Sequence, residues 1–250
     1  MATVSPAATE NEFSCRMVKG SPPLSTRLAN PLTSTTFEIS PRMFRFPSKS
    51  TIRCLALVAA VLLTPAAHAA RTILVFGDSL SAGYGIRPDA AWPALLASRL
   101  HEQKLDYSVV NASISGETTR GGVTRIDAAL TKHSPAIVII ALGSNDGLRG
   151  LPISAVHNNL MTMTDAALKA KAKVLIVGQR LPPNFGAYAL QFHKTFGEIA
   201  KARKSAYVDF LLEGVATRPE LFQSDNLHPT AEAQPLLLDN VWRGLEPLLK

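Results

Sequence analysis

Five short apolar runs recur beyond residue 70, at residues 72–76, 107–111, 136–142, 173–177 and 206–210. They are rich in β-branched residues and near-continuous, as in Ile137-Val138-Ile139-Ile140, which is the pattern of strands covered on both faces. Between them, at residues 92–102, 122–132, 153–171 and 188–204, and in a last segment at 231–249, apolar residues return every three or four positions, the period of an amphipathic helix. Trp92-Pro93 marks one helix start, because proline is tolerated in the first turn. Strands alternating with helices of this length predict an α/β domain with a parallel sheet and helices on both of its faces. No internal repeat or linker divides this stretch, and roughly 180 residues suit one domain with a sizeable core.

The preceding segment has a different character. Residues 43–69 begin with Arg45, Lys49 and Arg53, continue through the apolar stretch Cys54 to Leu63, and end in Ala67-His68-Ala69. A basic region, a short apolar region and an A-x-A site are the parts of a secretory signal, and the apolar stretch falls short of the ~20 residues of a membrane span. The expectation is cleavage after Ala69, a mature chain starting at Ala70, and a periplasmic or secreted location. Residues 1–42 are rich in Ser, Thr and Pro without periodicity; they read as a disordered extension or as the product of a start assigned too early, with Met43 as the true start.

Charge and cysteine usage narrow the functional classes. The whole chain carries a formal +7, but seven of its 26 basic and three of its 19 acidic residues precede Ala70, which leaves 19 against 16. That mild excess, without a Lys/Arg cluster interleaved with aromatics, argues against a nucleic-acid partner, and leaves transient contact with anionic lipid open. Both cysteines, Cys15 and Cys54, lie before the expected cleavage site, so thiolate catalysis and Cys-ligated zinc are excluded from the mature chain.

The candidate chemistry sits at the ends of the apolar runs. Gly77-Asp78-Ser79-Leu80-Ser81 follows the first, Ser113-Ile114-Ser115-Gly116-Glu117-Thr118 the second and Gly143-Ser144-Asn145-Asp146 the third. In open α/β sheets ligands bind outside the carboxyl ends of the strands, so Ser79, Gly116 and Asn145 are expected on one rim. Ser79 is placed as a nucleophile. The amides of Ser79 and Gly116 and the side-chain amide of Asn145 suit an oxyanion hole, whose preset donors stabilise a tetrahedral intermediate. Asp225-Asn226-Leu227-His228, just before the last helix, offers a base and its orienting carboxylate on one short loop. His101 and His133 fall near helix C-termini, where the dipole favours cations. His157 and His193 fall within helices with no carboxylate at comparable spacing.

These four ordered blocks resemble those of the GDSL, or SGNH, hydrolases. The stretches Gly77 to Tyr84, Ala91 to Leu96, Val110 to Gly116, Asn145 to Gly150 and Arg180-Leu181-Pro182 are most similar to the bacterial periplasmic multifunctional esterases, a group of acyl-CoA thioesterases, lysophospholipases and arylesterases. The likeness covers essentially all of residues 70–250. It implies a flavodoxin-like three-layer α/β/α sandwich with a five-stranded parallel sheet, and no metal or cofactor. It further implies Ser79 as nucleophile, His228 as base, Asp225 as its orienter, Gly116 and Asn145 in the oxyanion hole, and Leu181 and Pro182 bordering an acyl groove. Its partners would be small-molecule esters and thioesters, with a monomer favoured. Ser144 departs from the pattern, standing where close relatives often have a second glycine, in a loop, 143–150, that resembles one that moves on substrate binding.

Other polar residues take plainer readings. Asp78 and Asp146 are expected to shape their turns, and Arg149 and Arg180 either meet an anionic group or have solvated or structural roles. Two other classes of function compete. A nucleotide or flavin site would use the same rim, but Gly83-Tyr84-Gly85 lacks the third glycine of a dinucleotide fingerprint and no Gly-Lys-Ser/Thr follows. An acyl-chain carrier without turnover would have no use for Ser79, Asp225 and His228. A carbohydrate acetylesterase is the alternative among the hydrolases, though no aromatic-rich segment supports it.

Overall fold

The computed structural model describes residues 70–250; the expected extension at 1–42 and the expected signal at 43–69 lie outside the described residues. Strands β1 (Arg71–Gly77), β2 (Tyr107–Asn111), β3 (Ile137–Ala141), β4 (Lys173–Val177) and β5 (Ala206–Val208) form one sheet in the order β2-β1-β3-β4-β5. Every pairing is parallel. The order is the flavodoxin-like one, with the switch point between β1 and β3.

The helices are α1 (Ser79–Ala82), α2 (Trp92–Glu102), α3 (Thr119–His133), α4 (Ser144–Leu148), α5 (Ile153–Lys169), α6 (Gly186–Arg203) and α7 (Gln234–Leu245). The chain steps one way across the sheet from β1 to β2, then back over β1 to β3 and onward. Right-handed crossovers therefore put α2 on one face and the helices of the later steps on the other. The side chains obey this. Ile73, Val75, Ile137, Ile139, Leu175 and Val177 pack with Trp92, Leu96 and Leu100 of α2 and Leu237, Val241 and Leu245 of α7. Their strand neighbours Leu74, Phe76, Val138, Ile140, Val174 and Ile176 pack with Ile126 of α3, Leu160 and Met163 of α5, and Phe192 and Phe196 of α6. Alternate residues of one strand thus fill two cores, which is why the runs are apolar throughout; each large side chain so buried contributes about 1.5–3 kcal/mol.

The expected α/β/α sandwich and its five parallel strands are the observed ones, with corrections at the ends. Helix α3 begins at Thr119 instead of 122, because Thr118 caps it by accepting from the Gly121 amide at 3.3 Å. A Cβ on Gly122 would lie 2.7 Å from Met163 Sδ, so this glycine lets α3 pack closely against α5. Strand β5 stops at Val208, two residues short of expectation. The helix expected over 231–249 is α7 between two 3-10 turns, Ala231–Ala233 and Glu246–Leu248. Pro247 has no amide to bond the Arg243 carbonyl, so the α-helix cannot run on. Helices α1 and α4, four and five residues long, are absent from the sequence reading because so few residues display no period. They sit just past the ends of the two central strands.

Candidate active site

Ser79 opens α1 directly after β1, whose last residue, Gly77, pairs with Ala141 at the end of β3. Asp78 caps that helical turn, its Oδ1 accepting the Leu80 amide at 3.1 Å. The serine is thereby held at the rim of the central strands with only 8% of its surface exposed. From the other end of the chain, His228 brings Nε2 to 2.9 Å from Ser79 Oγ. Its Nδ1 lies 2.7 Å from Asp225 Oδ2. The second carboxylate oxygen accepts the amides of Leu227 at 2.9 Å and His228 at 3.0 Å. Those donors, the His228 amide first, then its ring and the Leu227 amide, hold the Asp225 carboxyl down at about 2. A carboxylate kept ionised beside Nδ1 selects the tautomer that leaves Nε2 free to accept a proton from serine.

The candidate oxyanion donors Ser79, Gly116 and Asn145 stand past the ends of β1, β2 and β3, on one rim of the sheet. Among the described residues, neither the Ser79 nor the Gly116 amide is used in a main-chain hydrogen bond. Gly116 has φ +79°, a conformation that glycine adopts without strain, and a Cβ there would meet nothing within 4 Å. Asn145, in α4, donates through Nδ2 to the Glu117 carbonyl at 2.9 Å, leaving the other N–H of that amide for a ligand. Ser144 beside it donates to Gln179 Oε1 at 3.0 Å.

The supports of these donors are less apparent from sequence. The Glu117 carboxylate pairs with Arg125, which also donates to the Ala112 carbonyl at 3.0 Å and lies over the Phe76 ring at 4.2 Å. Asp146 accepts from both the amide and the hydroxyl of Thr119, at 2.8 and 2.6 Å, and Asn159 donates to that hydroxyl at 3.0 Å. The scaffolding reading of Asp78 and Asp146 agrees with these bonds. Asp78 is fully buried, and burial, aided by the Asp146 and Glu117 carboxylates, pushes its carboxyl up to about 7. Arg125 and Glu117 are eight residues apart, and only the fold of α3 against the β2 loop makes them partners.

The remaining expected residues divide. Leu181 packs against Gly147, where a Cβ would lie 2.8 Å from its Cδ2, and lines an open depression of about 510 Å³ with Arg180, Pro183, Gly186, Ala189, Leu190 and His193. Pro182 is exposed at the head of the turn Pro183–Phe185 and does not line it. Arg180 is paired with Asp209 and Glu213. Arg149 is exposed and has no ion-pair partner among the described residues. His193 corrects the sequence reading: its Nε2 is 3.2 Å from Asp209 Oδ1. That carboxylate follows β5 and is invisible as a local spacing, and Tyr207 and Arg180 share it. Tyr84 joins the site as well, its ring centroid 4.4 Å from that of His228. Among the described residues, no group of three or more His, Cys, Asp and Glu side chains is arranged to hold a metal ion.

The chain is similar to known proteins. Esterase TesA of Pseudomonas aeruginosa is 49% identical over 197 residues, covering 78% of this chain and 96% of that protein. The Escherichia coli protein named thioesterase 1/protease 1/lysophospholipase L1 is 40% identical over 190 residues, covering 76% and 90%. A crystal structure of TesA superposes with a TM-score of 0.70 at 47% identity, over 71% of this chain and 99% of that one. The model of the GDSL-like lipase/acylhydrolase family matches residues 75–235, a span that begins within β1 and closes beyond His228. With the sheet order, the serine at the switch point and relatives of this identity in agreement, the chain belongs to the GDSL-like lipase/acylhydrolase family, the SGNH hydrolases.

Proposed function

We propose that this enzyme hydrolyses carboxylic esters and thioesters of acyl substrates through an acyl-enzyme on Ser79, with His228 as general base, Asp225 as its orienter, and Ser79, Gly116 and Asn145 as oxyanion donors. One observation carries the reading: the continuous relay from Ser79 Oγ to His228 Nε2 at 2.9 Å and from Nδ1 to Asp225 at 2.7 Å. Ser79 Oγ attacks the carbonyl carbon while its proton passes to Nε2. The carbonyl π bond opens onto oxygen, where the two free amides and the Asn145 N–H meet the charge. Collapse expels the alkoxide or thiolate, which takes the proton from Nε2. Water, deprotonated by the same nitrogen, then attacks the acyl-enzyme and releases the acid and Ser79.

An ester and a thioester give the same oxyanion, so this site does not separate them; discrimination falls to the acyl and leaving-group pockets, where a methylene is worth only about 1–3 kcal/mol. Aryl esters, lysophospholipids and acyl thioesters are accordingly the proposed substrates, in keeping with the names of the relatives. An amphiphilic acyl substrate has support from the surface. Of six exposed large apolar residues among those described, Tyr84, Ile114, Leu148, Leu190 and Leu227 lie in segments that follow strand ends or in the Asp225–His228 loop, and Leu168 alone lies at the far end of α5. Such a rim suits transient contact with lipid. We place the enzyme outside the cytoplasm, following the expected signal at 43–69, and take it to act as a monomer without cofactor.

The test is hydrolysis of a p-nitrophenyl ester series from acetate to palmitate by the wild type and Ser79→Ala. Turnover that falls at least 10³-fold in a folded variant is expected, with an optimum at medium or long chains. Retained turnover would end the serine mechanism, and an acetate optimum would favour the carbohydrate acetylesterase.

A further inference from the structure

We propose that Tyr84, held on the turn Gly83-Tyr84-Gly85, is a positioning residue for the general base, its ring forming the platform on which the His228 imidazole rests and becomes charged. This rests on His228 being the base proposed above. The rings are 4.4 Å apart between centroids and inclined at 38°, within the ~6 Å over which an aromatic face attracts a cation. Tyr84 is 53% exposed, whereas the His228 side chain is only 14% exposed. The tyrosine therefore covers the imidazole while remaining open to solvent on its other side.

The main chain is built to hold this stack. Gly83 and Gly85 both have φ +75°, so Tyr84 is presented between two left-handed residues, which glycine supplies without strain. Gln223 fastens the turn to the histidine loop: its Nε2 donates to the Tyr84 carbonyl at 2.8 Å and to the Pro229 carbonyl at 3.0 Å. Its own amide donates to the His228 carbonyl at 2.8 Å. A Cβ on Gly85 would overlap the Gln223 side-chain oxygen. The two glycines that fail as a dinucleotide fingerprint thus have a local use: one side chain, from 139 residues away, clamps the tyrosine turn to the base.

The consequence is differential. Neutral imidazole gains little from the negative face of the phenol ring, while the imidazolium formed as Ser79 loses its proton gains from it. An interaction stronger in the transition state than in the ground state acts on kcat and not on KM. Leucine at position 84 keeps an apolar cover but removes the π face, and phenylalanine restores that face without the hydroxyl.

The experiment compares wild type, Tyr84→Leu, Tyr84→Phe, Gln223→Ala, the Tyr84→Leu/Gln223→Ala double variant and Ser79→Ala on one p-nitrophenyl ester, with folding checked by circular dichroism. Tyr84→Leu is expected to lower kcat about fivefold to tenfold, as a cation–π interaction of this kind predicts, with KM within twofold. Tyr84→Phe should recover at least half of the lost rate. Gln223→Ala should lose rate in the same sense, and the double variant should be little worse than Tyr84→Leu, because a clamp acting through the tyrosine has nothing left to hold. Wild-type kcat in Tyr84→Leu, a Tyr84→Phe as slow as Tyr84→Leu, or a loss that appears only in KM overturns the assignment while Ser79→Ala remains inactive. An active Ser79→Ala overturns the site reading itself, and this inference with it.

Discussion

The side-chain amide of Asn145 donates to the main-chain carbonyl of Glu117 at 2.9 Å. Asn145 comes from the end of β3 and Glu117, next to Gly116, from the loop after β2, so this bond crosses over β1, which lies between those strands in the sheet. Two candidate oxyanion donors from non-adjacent strands are thereby tied to each other before substrate arrives. Donors that need no reorientation when charge develops are the ones that lower a barrier most.

Asn145→Ala removes one of three proposed donors and this tie. We expect kcat to fall about 10²–10³-fold, the loss typical for one oxyanion-hole donor, with KM within a few-fold. Steady-state kinetics on a p-nitrophenyl ester decide it, and wild-type kcat would remove Asn145 from the site.

Arg125 supports the same loop through Glu117, and the two side chains are 24% and 11% exposed. Arg125→Met keeps a stem over the Phe76 ring but leaves Glu117 unpaired, at an expected cost of about 2–3 kcal/mol in urea unfolding. Adding Glu117→Gln should recover part of that. If the two changes simply add, the pair is not coupled.

Asp225→Asn should act through the tautomer. Its Oδ1 accepts two main-chain amides, so an asparagine oxygen would stay there and turn its NH2 toward His228 Nδ1. Nδ1 must then accept, and the ring proton moves to Nε2, where it opposes Ser79. A fall in kcat of about 10³–10⁴-fold at neutral pH is expected. Because its hydrogen bonds hold the wild-type Asp225 carboxyl down at about 2, kcat/KM should show no limb from this carboxylate above pH 4. A carboxylate-like limb between pH 4 and 5 would contradict this.

Asp78 makes stability depend on pH in the less common direction. Its carboxyl is raised to about 7 in the fold, by burial first, against about 3.9 in an unfolded chain. Between those values the folded state holds a proton that the unfolded chain has released. Its contribution is therefore full below about pH 4 and is lost as pH rises through 7. Asp78→Asn keeps an acceptor for the Leu80 amide and removes the ionisation. Relative to wild type it should gain stability, on the order of a few kcal/mol, between pH 5 and pH 8. Urea curves at both pH values test this, and parallel shifts would refute it.

The strands, the long helices and the four candidate site blocks were legible because each is written in adjacent residues. A buried parallel strand needs an unbroken apolar run, an amphipathic helix a repeat near 3.6, and the Asp225–His228 pair a single turn of chain. Helices α1 and α4 were not legible, being too short to show a repeat. Nor were the Arg125–Glu117 pair, the Asp209 partner of His193 or the Tyr84–His228 stack.

What the sequence determined alone is thus the set of local preferences: which segments bury both faces, which bury one, and which polar residues stand where a strand ends. Sheet order decided the rest. Placing β1 between β2 and β3 brings Ser79, Gly116 and Asn145 to one rim, and packing α7 back onto the sheet returns His228 to a serine 149 residues away. Hydrogen bonds and ring contacts reach only a few ångströms, so partners distant in sequence become partners only when the burial of two cores has folded the chain around them.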